Sequence, residues 1–133
     1  MPRKTLKERN VKPVEDTSNN RLAPVLDLVT GKEDPDDLML LIIEAIPESE
    51  MPPKVGNFYT FIYSPKTPNI KYDEYPLVEV TQVFAWGFKG INLHYPAPRQ
   101  YTWQEIVGTI HRAKSSEIKS LLSIPYMKLR LNS

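Results

Sequence analysis

The chain has 133 residues, with 17 Lys and Arg against 16 Asp and Glu and no cysteine. That length fits one modest domain with appendages, and the missing thiols exclude disulfides, thiolate nucleophiles, cysteine zinc sites and iron–sulfur clusters. No apolar leader opens the chain, and its longest apolar run, "LMLLIIEAI", is too short to span a bilayer and is interrupted by Glu44.

The balanced charge hides a block pattern. Residues 1–21 are basic, with Arg3, Lys4, Lys7, Arg9, Lys12 and Arg21. The next thirty are acidic, and the remainder is basic again. Such asymmetry points to charged partners or, equally well, to a polar tail followed by one acidic helix. Residues 1–33 are expected to form an extended or disordered arm, since the first twenty-one carry too few large apolar groups to offset their ordering entropy. Leu26 and Val29 are positioned to pin that arm onto a neighbour.

Residues 34–47 predict a helix. Asp34 caps it, Pro35 sits at N1, Asp36 and Asp37 face the positive end of the dipole, and Pro47 stops it. Leu38, Met39, Leu40, Leu41, Ile42 and Ile43 surround the axis, more than one core-facing stripe needs. Leu38, Leu40, Leu41 and Ile43, with Leu26 and Val29, are therefore candidates for a protein interface.

Residues 54–133 read as a small β domain with C-terminal helices. "NFYTFIY" is one strand. "LVEVTQVF" puts Val78 and Val80 on one face and Leu77, Glu79 and Thr81 on the other. Residues 88–95 alternate again, with Ile91, Leu93 and Tyr95 against Asn92 and His94. "SPKTPNIKYDEYP" reads as a long loop, and "WGFKG" as a glycine-bearing turn or bulge. "YTWQEIVGTIHRA" predicts a helix with a Thr102–Glu105 capping box, and "SSEIKSLLSI" a second one capped by Ser115 or Ser116. The fold class is thus mainly β with flanking helices (α+β), as a small SH3-like partial barrel or a bent antiparallel sheet.

No catalytic, metal or cofactor constellation is legible. His94 and His111 stand in different elements, with no metal-ligand spacing. Asp73 and Glu74 are adjacent in a loop. No phosphate-binding or nucleophile motif occurs. His94 with Asn92 reads as a structural polar cluster ordering the "SPKTP" loop, and His111 as a ring near a helix C-terminus. The aromatics of the β region serve as core or, interleaved with Lys66, Lys71 and Lys89, as a stacking platform for single-stranded nucleic acid. Arg3, Lys4, Lys7, Arg9, Lys66 and Lys89 are the nucleic-acid candidates.

"FIYSPKTPNIKYDEYPLVEV" followed by "GFKGINLHYPAP" resembles a family of tailed-phage proteins found in contractile-tailed phages of cyanobacteria. The likeness is carried by Tyr63, Pro65, Lys66 and Thr67; by Tyr72, Asp73, Tyr75, Pro76 and Leu77; and by Gly87, Phe88, Gly90, Ile91, Asn92, His94 and Tyr95. It covers about a third of the chain. Glu74 departs from the pattern, which has a basic residue there, and the C-terminal region is shorter than the family's. The resemblance implies a non-enzymatic structural protein of a virion, without cofactor or membrane contact, assembled in the host cytoplasm among other virion proteins in multiple copies. Neck or baseplate/tail is the expected location. The alternative is a nucleic-acid-binding or DNA-end-contacting phage protein.

Overall fold

The computed structural model describes residues 20–65 and 71–131. Five antiparallel strands make the main sheet: β1 (Phe58–Tyr63), β3 (Leu77–Val83), β4 (Gly87–Asn92), β5 (Ala97–Thr102) and β6 (Ile106–Ala113), in the order β5-β4-β3-β1-β6. The short strand β2 (Lys71–Asp73) pairs with β7 (Leu129–Leu131) near the C-terminus. Among the described residues three α-helices accompany them: α1 (Ala23–Leu28), α2 (Pro35–Ala45) and α3 (Ile118–Ser123). The protein is mainly β with flanking helices, as its alternating strands and capped acidic helix require.

Strand alternation divides the core in two. Tyr59, Phe61, Tyr63, Val78, Val80, Phe88, Tyr101 and Ile110 fill one side. Phe61 meets Tyr63, Phe88 and Tyr101 edge-on, with ring centroids 5.3–6.3 Å apart, the arrangement aromatic quadrupoles favour. On the other side Leu77 and Ala113 of the sheet pack under Leu22, Val25, Leu38, Met39, Ile42 and Ile46 of the α1–α2 segment, and under Leu121, Ile124 and Tyr126 from the C-terminus.

Several expectations are corrected. Residues 20–33 are not an extended arm. Pro24 lies in the first turn of α1, and Leu22 and Val25 are buried, so this stretch belongs to the folded body. Leu38 leaves the candidate interface for the same reason, being fully buried by its own chain. α2 is capped as expected, the Asp34 side chain accepting from the Asp36 amide at 2.9 Å.

The helix expected over 101–113 is a strand. Thr102 and Glu105 do interact, hydroxyl to carboxylate at 2.6 Å, but they hold only a single 3-10 turn, Trp103–Glu105. Ile106, Val107, Thr109 and Ile110 then follow β propensity, and the open edge of β1 accepts them, Phe58 opposite Ala113 and Tyr63 opposite Ile106. α3 exists, but neither Ser115 nor Ser116 caps it. The Lys114 amide donates to the Glu117 carboxylate at 2.8 Å, holding the turn that leads into the helix.

Gly87 and Gly90 are not positive-φ turn residues. A Cβ on Gly87 would stand 2.0 Å from the Tyr101 carbonyl oxygen, and one on Gly90 2.3 Å from Val78 Cγ1. They are glycines because neighbouring strands approach too closely for a side chain. The bulge lies across from them: Val80 faces Gly90 and Gln82 faces Lys89, leaving Thr81 as the extra residue. Phe88 is buried with the aromatic cluster, while Ile91, three residues on and of opposite parity, is only half-buried. The two therefore do not fill one side together.

Candidate interaction site

α2 presents one face to the core and another to solvent. Leu38, Met39 and Ile42 are fully buried; Leu40 is 58% exposed, and Leu28 at the end of α1 is 56% exposed. Leu26, Val29, Leu41 and Ile43 are partly covered by the same core. Helical spacing places Asp36 and Glu44 one turn either side of Leu40, and Asp37 beside it. The face is therefore a leucine among carboxylates, not a broad apolar strip. Asp36 is also engaged inward. It accepts from the Tyr75 hydroxyl and from Lys128 Nζ at 3.0 Å. These bonds, Tyr75's foremost, hold its carboxyl below the usual range.

The start of the described chain is clamped. Arg21 forms a forked pair with Glu117, both N–O distances 2.9 Å, and reaches Glu48 as well. The Glu117 side chain is only 5% exposed, so a guanidinium fork meets a carboxylate where water reaches little. The pair joins the entry to α1 with the entry to α3, and the Arg21 pKa is raised, the Glu117 bond being the largest cause.

The polar cluster forms where the β4–β5 turn meets β2. Asn92, 2% exposed, accepts through Oδ1 from the His94 amide at 3.0 Å and the Tyr95 amide at 3.4 Å. Its Nδ2 points at Asp73 Oδ2, 3.5 Å away. Asp73 is buried and accepts from the Tyr75 amide at 2.9 Å; burial pushes its carboxyl up to about 6. His94 packs edge-on against Tyr126, centroids 4.9 Å apart. Its Nε2 is shielded and has no hydrogen-bond partner among the described residues, and loss of hydration lowers its pKa to about 4. Asn92 thus orders its own turn and tethers β2, the strand that follows the "SPKTP" loop. Residues 66–70 of that loop, with Lys66, fall outside the described residues.

His111 lies on β6, not on a helix. Its Nδ1 is 3.2 Å from the Ile46 carbonyl at the C-terminal cap of α2, and Thr109 Oγ1 is 3.1 Å from Nε2. It still meets a helix C-terminus, but one contributed by a distant part of the chain. Arg3, Lys4, Lys7 and Arg9 lie outside the described residues. Lys89, on β4, holds its ammonium 5.6 Å from the centre of the Phe84 ring.

The end of the sheet at the β3–β4 turn carries aromatics that are not core: Trp86 is exposed and Phe84 half-buried. Phe84 and Trp86 stack with centroids 5.0 Å apart and planes within 8°, and Trp86 is 43% exposed. Trp103 is braced beside them, its Nε1–H donating to the Ala85 carbonyl at 2.8 Å. Met51, Pro52, Val83, Phe84 and Trp103 line a depression of about 400 Å³. The signal available in the sequence was the position of "FAWG": Phe84 and Trp86 fall at the β3–β4 connection, where side chains stand at the rim of the sheet.

Among the described residues no group of His, Cys, Asp and Glu could hold a metal ion, and no helix is long and apolar enough to cross a membrane. Comparison of the chain with family models, with curated proteins and with solved structures finds no match.

Proposed function

We propose that the protein is a non-enzymatic structural and assembly protein of a tailed-phage virion, in the neck or the baseplate/tail region. It docks to other virion proteins through its N-terminal segment and the solvent face of α2. Its place of work is then the virion, reached by assembly in the host cytoplasm. The resemblance carried by "SPKTP…YDEYPL…GFKGINLHY" supports the phage setting. The observation that carries the docking reading is Leu40, more than half exposed on a helix whose opposite face is completely buried. Leu40, with the half-covered Leu41, Ile43, Leu26 and Val29, forms the contact, and Asp37 and Glu44 border it.

The sheet connectivity supports an SH3-like partial barrel. Three consecutive strands form a meander, a single 3-10 turn follows, and the last strand returns to pair with the first. Such a module is a rigid base from which helices and a basic N-terminal segment engage neighbours.

Mass spectrometry of purified particles tests the setting, and a Leu40→Ser variant tests the surface. The variant should fold normally yet be left out of the particle. Particles that lack the wild-type protein, or that take up Leu40→Ser at the wild-type level, would overturn the reading.

A further inference from the structure

Two charge blocks of opposite sign open the chain. Residues 1–14 carry Arg3, Lys4, Lys7, Arg9 and Lys12 against Glu8 alone, and residues 22–50 carry eight carboxylates against Lys32 alone. Several of those carboxylates are already engaged: Asp36 by Tyr75 and Lys128, Glu48 by Arg21, and Glu50 by Lys54. Asp37 and Glu44 are not. Both are exposed, and neither forms an ion pair among the described residues. They stand three residues before and four residues after Leu40, on its own face of α2. That face is thus one exposed leucine between two unneutralised carboxylates. In the first block Leu6 stands among Arg3, Lys4, Lys7 and Arg9 in the same way.

We propose that the occupant of the α2 face is the N-terminal segment of a second copy of this chain, Leu6 meeting Leu40 and the cations around Leu6 meeting Asp37 and Glu44. This rests on the docking reading above, which gives the face to another chain, and it names that chain. Nucleic acid is unsuited to the face, because its phosphates would meet carboxylates. A single leucine is too small an apolar area to hold a partner by burial alone. Opposite charge therefore selects the partner and sets its register, and the chain carries that opposite charge itself. Reach is sufficient. Arg21, clamped to Glu117 and Glu48, fixes the root of the segment. The residues from Leu6 to Arg21 can span no more than about 54 Å, against about 16 Å for the length of α2. Each copy then offers a segment to one neighbour and a helix face to another, a head-to-tail contact that closes into a ring or continues as a filament.

The test is sedimentation velocity of the purified full chain at low salt. Wild type should self-associate as its concentration rises and revert to monomer at about 1 M salt, where the screening length is about 3 Å. Asp37→Lys with Glu44→Lys, and separately Lys4→Glu with Lys7→Glu and Arg9→Glu, should each remain monomeric while circular dichroism shows both variants folded. Mixed in equal amounts, the two variants should associate again, because opposite charges then meet in both directions. A wild-type chain that stays monomeric overturns the proposal, as does either variant associating like wild type. Recovery when one chain carries both sets of substitutions, without recovery on mixing, places the segment on its own α2 and overturns it too. Leu40→Ser separates this proposal from the docking reading. Its exclusion from particles, beside unimpaired self-association of the charge variants, leaves that reading standing and removes this one. Its uptake at the wild-type level removes both.

Discussion

The two sides of the sheet are built from different kinds of contact. The aromatic side comes from β1, the β3–β4–β5 meander and Ile110 of β6, and within the meander register follows from tight turns such as Phe84 N–H to Gly87 O at 2.7 Å. The helical side is assembled from the chain's ends: Arg21 meets Glu117 across 96 residues, and Asp36 meets Lys128 across 92. The first side is rigid and unforgiving in shape. The second is held by aliphatic packing plus a few ion pairs that can be removed singly. The proposed docking surface lies at the rim of the helical side, on Leu40.

The sharpest way to break the aromatic side is Gly87→Ala. The new methyl would meet backbone that cannot yield, because the Tyr101 carbonyl is itself held in the β4–β5 ladder. We expect a loss of more than about 3 kcal/mol in urea denaturation. A variant as stable as wild type would show that β4 and β5 can part locally without cost.

The helical side should fail more gently and separately. Arg21→Ala leaves the shielded Glu117 carboxylate without its fork, at an expected cost of about 2–3 kcal/mol. Hydrogen exchange should rise in α1 and around 114–118 while β1, β3 and β4 keep their protection. Uniform acceleration across the sheet would mean that the two sides unfold as one unit.

The polar cluster joins both sides and gives the comparison a pH readout. Asp73 titrates near 6 in the folded chain against 3.8 unfolded. Between those values the folded state holds the extra proton, so stability falls as pH rises through the window and stays lower above it. His94 titrates near 4 folded against 6.5 unfolded. There the unfolded state holds the extra proton, so stability falls as pH drops from 6.5 to 4. Across about pH 4 to 6 the two slopes oppose each other. Asp73→Asn should raise stability at pH 7 by roughly 2–3 kcal/mol and expose the histidine slope. His94→Phe should expose the reverse slope. Parallel denaturation curves for all three proteins between pH 4 and 7 would show that neither group is desolvated as described.

The smallest effect belongs to the helix surface. Leu40→Ser should change monomer stability by less than about 0.5 kcal/mol, which separates its role in assembly from any role in folding. A larger loss would mean that Leu40 is part of the core.

Much of this architecture was legible before any coordinates. Asp34-Pro35 fixes the start of α2, and Val78 and Val80 against Leu77 and Glu79 assign the faces of β3, because capping and alternation act over three or four residues. Asn92 and His94 were recognised as structural polar groups on the same local grounds, though their partner Asp73 read only as part of a loop. The strand at 106–113 was not legible. Its Thr102–Glu105 pair and its spaced apolar residues satisfy a helix start equally well, and the open edge of β1 decides the matter.

What the sequence by itself determined is therefore what near neighbours govern: the capped helix, the alternation of β3, the absence of cysteine and the block pattern of charge. Tertiary structure alone decided which aromatics are core and which are surface, since Phe88 and Trp86 sit in the same short stretch but only one faces the closed side. It also drew residues 20–33 into the body. There Leu22 and Val25 find a pocket made by helices and strands more than ten residues away in sequence, and burial of those side chains, roughly 1.5–3 kcal/mol each, outweighs the freedom that an isolated arm would keep.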